Sequence, residues 1–176
     1  MIAMFVLSRD QTAQAVLPFD KNQFADELAK QQINQLYYSG QTGAGDELAL
    51  SAQSAVEGFD GQKTLEMRAV IASIKGKNGL EIEATAQFGQ YLYSEKLLKM
   101  TGAVLISSSS GYKLSSPELR ILTDGTYIFG EGPIEGLSPV GKIYAGRMEI
   151  TRKNSRAPMQ LWFGEKVVLD YEPSEI

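Results

Sequence analysis

The chain has 176 residues, of which 43% are hydrophobic and 22% charged, enough for one soluble domain with a substantial core. Its formal net charge of -4 and scattered basic residues argue against a nucleic-acid binder, which needs a dense cationic stripe to neutralise phosphates. With no Cys and no His, disulfide frameworks, thiolate zinc sites, Cys nucleophiles and Ser-His-Asp triads are excluded by inventory.

Residues 1–7 are uniformly apolar, and Ser8, Arg9 and Asp10 follow. A helix of that length spans only about 10 Å at ~1.5 Å per residue, short of the roughly 20 residues a membrane span needs. Residues 1–9 are therefore not a whole membrane anchor; they read either as the C-terminal end of one or as an exposed end of the chain. Residues 10–30 read as a linker, with a candidate short helix over 20–30.

From residue 31 to 173 the pattern changes to period two, which puts one apolar and one polar face on each half-buried strand. The first strand is expected over 31–38, closed by the flexible glycine loop of Gly40, Gly43 and Gly45. That loop lacks the Lys-Ser/Thr ending of a phosphate cradle. Further strands are expected over 47–54, 64–74, 80–88, 90–93, 97–107, 111–116, 118–122, 126–130, 141–151, 159–163 and 167–171. Asp60-Gly61, Asn78-Gly79, Ser110-Gly111 and Asp124-Gly125 supply the positive φ of tight turns, so neighbouring strands run antiparallel. Residues 130–141, with two prolines and four glycines, read as a corner where the chain switches sheets. The predicted fold is all-β, an open twisted jelly roll of two antiparallel sheets built from repeated strand pairs.

A small template recurs along these strands: apolar, any residue, Ala or Ser, two residues, then apolar or Gly. It occurs as Leu50-Ala52-Ala55, Ala84-Ala86-Gly89, Leu114-Ser116-Leu119 and Ile143-Ala145-Met148, at intervals of 34, 30 and 29 residues. Such spacing predicts one supersecondary unit stacked on itself. Alternation places Leu65, Met67, Ala69 and Ile71 on one inward face, and Leu98, Met100, Val104 and Ile106 on another.

Candidate catalytic groups are few. Glu81 and Glu83 share a strand face at a separation compatible with paired-carboxylate chemistry, but they lie opposite the apolar face and should be solvated. No loop has the spaced acidic oxygens calcium requires. The expectation is no enzyme, no cofactor and no metal. What the sequence offers instead is apolar surface: a dry packed core is its default reading, while the many small inward residues leave room between sheets for a lipid-sized groove.

Four stretches, 36–55 (LYYSGQTGAGDELALSAQSA), 80–121 (LEIEATAQFGQYLYSEKLLKMTGAVLISSSSGYKLSSPELRI), 132–150 (GPIEGLSPVGKIYAGRMEI) and 159–173 (MQLWFGEKVVLDYEP), give the chain its resemblance to the LptC family. That family is the inner-membrane-anchored periplasmic component of lipopolysaccharide export. The resemblance implies an open β-jelly roll whose interior carries acyl chains while the sugars face water. It implies as partners lipopolysaccharide, the inner-membrane ABC transporter that extracts it, and a periplasmic bridge protein of similar fold. Residues expected to line the lipid trough are Leu48, Leu50, Met67, Ala69, Ile71, Ile82, Met100, Val104, Ile106, Leu114, Ile143 and Met148.

Ile33, Leu36 and Tyr38 on the first strand would face the transporter. Met159, Leu161, Phe163, Val167 and Leu169 on the last two would face the bridge. Lys96, Lys99, Lys142 and Arg147 are candidates for lipid phosphates, weighed against ordinary solvated cations. Two rival readings are a soluble bridge protein of the same fold and a carbohydrate-binding β-sandwich.

Overall fold

The computed structural model describes residues 33–58, 63–152 and 157–171. It contains ten strands: β1 (Ile33–Gln41), β2 (Glu47–Gly58), β3 (Thr64–Lys75), β4 (Glu81–Leu92), β5 (Leu97–Ser108), β6 (Lys113–Leu122), β7 (Tyr127–Ser138), β8 (Gly141–Thr151), β9 (Gln160–Gly164) and β10 (Val168–Tyr171). The all-β antiparallel architecture is as the alternation predicts. The expected anchor over 1–9, the linker over 10–30, the Asp60-Gly61 turn and the tail after 172 lie outside the described residues.

The strands form a single meander in which each of β1 to β8 pairs antiparallel with the next. Tight turns make this order possible. Between β6 and β7, for example, Asp124 accepts a hydrogen bond from the Thr126 N–H at 2.9 Å, and Gly125 takes φ +74°. At the far side β9 pairs with the Arg147–Thr151 end of β8, and β10 with its Gly141–Tyr144 end. The sheet does not close, so β1 is one edge and β9 with β10 the other.

A line of ladder breaks crosses this sheet from edge to edge, as left-handed residues without a register change on β1 and β3 and as register-shifting bulges from β4 to β8. It runs through Gln35 on β1 and Ala69 on β3, at φ 64° and 49°, then Gly102 and Ala103 on β5, at φ 81° and 52°. It continues past Pro117 on β6, to Gly132 on β7 at φ 97°. Pairing registers shift along the same line, between Thr85 and Phe88, Thr101 and Val104, Ser115 and Glu118, and Glu131 and Ile134. Beyond β8 the line separates β9 from β10: Glu165 and Lys166 both have positive φ, and Gly146 N–H donates to the Glu165 carbonyl at 2.6 Å. Bulges bend a strand and increase its twist. A complete row of such breaks creases the sheet, and the two sheets expected from sequence are the two sides of that crease.

The first layer holds 36–52, 70–86, 104–116, 134–145 and β10; the second holds 54–68, 88–101, 118–131, 147–151 and β9. The layers face one another. Met100, Val104, Ile134 and Met148 have 0% exposure, which one sheet alone could not give its own side chains. Contacts cross the gap as well: a Cβ on Gly125, in the second layer's β6–β7 turn, would strike Thr42 and come within 3.4 Å of Ile74 in the first. Tyr112, in the β5–β6 turn, lies 6.3 Å ring to ring from Phe163 on β9.

The crease explains the sequence template. On β4, β6 and β8 two consecutive residues at the break lie outside the buried set, so the inward series advances by three instead of two; on β2 the step is the same, though Ser54 within it is also buried. Ala52 is followed by Ala55, Ala86 by Gly89, Ser116 by Leu119 and Ala145 by Met148, all on the core side. The repeat unit is therefore a strand pair crossing the crease once in each direction. Small residues stand at the bend because facing strands fill it. Ala52 pairs with Val70 and Val70 with Ala86, so small and β-branched residues alternate. On the second-layer side Met67 lies opposite Gly89, Gly89 opposite Met100, and Gly130 opposite Met148. A Cβ on Gly89 would come within 2.8 Å of Val70 and 3.4 Å of Met67, so the missing side chain is the space the neighbours occupy.

Two sequence expectations change here. Ala69 and Ile71 point outward, Ile71 being 43% exposed, while Val70, Ala72 and Ile74 take the inward places. Strict alternation from Met67 missed the phase slip at Ala69, whose positive φ marks the break. The breaks expected at Gly89, Pro117 and Gly130–Gly141 are not strand ends: β4, β6 and β7 run through them. Pro117 has no N–H for the ladder, so it fits the bulge where no ladder bond is needed.

Left-handed backbone at Ala69 and Gly132 gives a test of opposite signs. Ala69→Gly should raise stability or leave it level, since it relieves about 1–2 kcal/mol of left-handed strain against a cost of about 1 kcal/mol in unfolded-chain entropy. Gly132→Ala should lower it by more than about 1 kcal/mol, because its Cβ would also strike the Pro117 ring. Urea unfolding of both variants measures the difference; equal effects would mean the crease carries no backbone strain.

Candidate functional site

Among the described residues the space between the layers is a continuous apolar core, graded from a filled centre to thinly covered rims. Of the expected lining residues, Met67, Ile82, Met100, Val104, Ile106, Leu114, Ile143 and Met148 are all buried in the central cluster. Leu48 and Leu50 are only partly buried and pack at its border with Leu36 and Ala72. Ala69 and Ile71 lie on the opposite face, as described above. The centre is therefore packed side chain to side chain, and of the expected lining residues on the inner face those at the β1–β2 rim are the more accessible.

Three methionines occupy that centre beside glycines, Met67 and Met100 flanking Gly89, and Met148 against Gly130. Unbranched thioether side chains re-pack at low cost, and here they fill the space beside the glycines. The arrangement suits an interior that can admit a flexible apolar chain by moving side chains rather than backbone.

The two sheet edges bound this space. Ile33, Leu36 and Tyr38 lie on the inward side of β1, each partly covered. Met159 precedes β9, and Leu161 and Phe163 turn inward from it against the cluster. β10 is different, because all four of its residues are exposed. Leu169 stands in register with inward-facing Ile143, yet is 47% exposed, and Val167 before the strand is 48% exposed. The inner apolar face thus continues past β8 onto a strand that is left exposed among the described residues.

One end of the interior is fastened by charge. Arg152, just past β8, meets Asp46 of the β1–β2 turn at 2.6 Å, with only 8% and 3% of the side chains exposed. Thr42 Oγ1 donates to the same carboxylate at 3.3 Å, and the Lys77 N–H to its other oxygen at 3.4 Å. The pair joins the first layer to the second across most of the sheet's width. No local pattern announces it: the partners are far apart in sequence, and an Asp in a Gly-rich turn reads as ordinary turn chemistry.

The cations singled out for phosphate contact are mostly engaged elsewhere. Lys99 and Arg120 hold Glu118 on the outer face at 2.9 and 2.7 Å, and Arg120 also reaches Glu131 at 3.4 Å. Arg147 lies 3.7 Å from Glu149 and 3.8 Å from Glu165. Lys96 sits in the β4–β5 turn with φ 52°, and Lys142 is exposed on β8. Glu81 and Glu83 are exposed as expected, Glu81 paired with Lys75 at 2.6 Å. Among the described residues no cluster of acidic side chains is placed to hold a metal ion, and no helix is long and apolar enough to cross a membrane.

A creased, unclosed antiparallel sheet with an apolar interior and two free edges defines an open β-jelly roll. The model of a lipopolysaccharide-assembly, LptC-related family matches residues 42–160, about two thirds of the chain. The chain belongs to that family, and its role lies in lipopolysaccharide transport. The matched span runs from the β1–β2 turn to the start of β9, covering the crease from β2 to β8. A search of curated proteins gave no match.

The buried pair makes a strong prediction. Arg152→Met leaves the Asp46 carboxylate buried without its countercharge and should cost about 3–5 kcal/mol in urea unfolding. Adding Asp46→Asn should recover part of that loss; no recovery would mean that the arginine acts through packing alone. A second prediction concerns acid. Burial by itself would raise the Glu118 carboxyl, but hydrogen bonds and charge from Lys99 and Arg120 outweigh it and hold the group below the usual range. Its contribution is present above the unfolded carboxylate value and lost as pH falls through the lower folded one. Glu118→Gln should therefore show a shallower loss of stability below about pH 4.3, the difference being at most about 1 kcal/mol for a partly exposed group.

Proposed function

We propose that the protein is a non-enzymatic carrier that passes the acyl chains of lipopolysaccharide between its two layers. It receives the lipid from the inner-membrane ABC transporter and hands it to a periplasmic bridge of similar fold. It works in the periplasm, held at the inner membrane through an N-terminal helix of which residues 1–9 are the end. The observation that carries this reading is an apolar interior bounded by two unpaired sheet edges, in a chain of the LptC-related family.

The physics of the cargo supports it. Each methylene left in water costs about 0.8 kcal/mol, so a chain of about ten costs roughly 8 kcal/mol. A multi-chain glycolipid therefore needs continuous apolar cover on its way through water. The β1–β2 rim, with Leu48 and Leu50 half-covered, is where a chain would enter, and the Met67–Met100–Met148 centre is what it would displace. Free edges can add a neighbour's strand, and so continue the sheet and its inner face. On this reading Ile33, Leu36 and Tyr38 face the transporter. Met159, Leu161, Phe163, Val167 and Leu169 face the bridge, with the uncovered Leu169 as the first surface the lipid meets on leaving.

Photo-crosslinking residues placed at Leu50 and at Ile71, in cells making labelled lipopolysaccharide, test the proposal. Adducts are expected at Leu50 and not at Ile71, although Ile71 is the more exposed. The reverse pattern would remove the interior from the pathway.

A further inference from the structure

The outer face of the first layer carries a feature that the interior pathway does not use. An open groove of about 1350 Å³ crosses β1 to β5 near their turn-42 ends. Strand spacing of about 4.8 Å makes it roughly 19 Å long. Outward side chains flank it in register: Ser39 pairs with Ala49, Ala49 with Ser73, Ser73 with Glu83 and Glu83 with Ser107. At the β1 end Tyr37 stands 72% exposed, beside the groove it helps to line.

We propose that this groove binds a saccharide, the glycan portion of the glycolipid whose acyl chains occupy the interior; this rests on the lipid-carrier reading above. The lining chemistry selects that ligand class. Hydroxyls at Ser39, Ser73 and Ser107 both donate and accept, as sugar hydroxyls do, and Glu83 is an acceptor only. An exposed tyrosine ring supplies a flat apolar face with a polar tip. Charge argues against the alternative, a phosphate subsite. The groove is lined by three carboxylates and one lysine, and that lysine, Lys75, is already paired with Glu81. Its position matches the cargo as well. The groove reaches β1, the edge strand of the rim where Leu48 and Leu50 are half-covered, so a glycolipid straddling that edge would put acyl chains on one side of the sheet and sugars on the other.

The test uses the whole chain and a defined probe, the core oligosaccharide of lipopolysaccharide freed of its acyl chains and phosphates, followed by NMR titration. Shift changes are expected at Tyr37, Ser39, Ser73 and Ser107. Ser73→Trp, which fills the middle of the groove from an outward position, should weaken binding at least tenfold. Tyr37→Ala, on a side chain outside the core, should weaken it several-fold and serves if the tryptophan variant does not fold. Both variants should still give the lipid adduct at Leu50.

Absence of shifts at millimolar probe, shifts confined to other faces, or unchanged affinity in the variants would overturn the groove assignment. Tighter, salt-sensitive binding of the phosphorylated oligosaccharide would overturn it in favour of an anion site. Loss of the Leu50 adduct in the unmodified protein would instead count against the carrier reading, so the two failures are distinguishable.

Discussion

The structure depends on the line of ladder breaks that crosses all its strands. Without it the chain would form a long twisted meander with one apolar face open to water. With it the same hydrogen-bonded sheet folds over, and the inward side chains near the bend find cover from the opposite layer. The backbone cost is concentrated in a few residues. Ala69 and Ala103 adopt left-handed conformations that alanine disfavours, while Gly102 and Gly132 adopt them readily. The return is the complete burial of Met100, Val104, Ile134 and Met148 at the bend.

A creased sheet also differs from a closed barrel in what it leaves unfinished. The layers share one sheet, so they are joined along the crease and free to part at the rims. The Asp46–Arg152 pair fastens one such margin, tying the first turn to the end of β8. On the opposite side of β8 the inner face runs out onto β10, where Leu169 and Tyr171 are exposed. A fold selected only for stability would cover those residues. Leaving them bare fits a protein whose interior is meant to be continued by another, and the proposed transport role rests on that continuity together with family membership.

Much of this was legible in the residues. Period-two alternation, the Asn-Gly and Asp-Gly turns and the lack of any long helical pattern specify an antiparallel β fold. The two edge strands follow from their positions at the ends of the meander. The spaced template of Ala52, Ala86, Ser116 and Ala145 was visible as a repeat, although its cause was not. Its three-residue inward step is the trace a bulge leaves in a sequence. The same bulges misled where they broke alternation without repeating the template, which is why Ala69 and Ile71 fell on the wrong face and why Gly89 and Pro117 read as strand ends.

The sequence by itself determined which residues can face inward together, because side-chain direction in a strand alternates locally and needs no partner. Only the tertiary structure decided where the layers are solid and where they are thin. Coverage depends on the opposite layer, and the crease brings that layer in from distant parts of the chain. The pairing of Asp46 with Arg152 and the half-covered Leu50 arise in this way, from segments far apart in sequence that meet only after the sheet has bent, whereas the groove beside Tyr37 follows from the register of the consecutive strands β1 to β5.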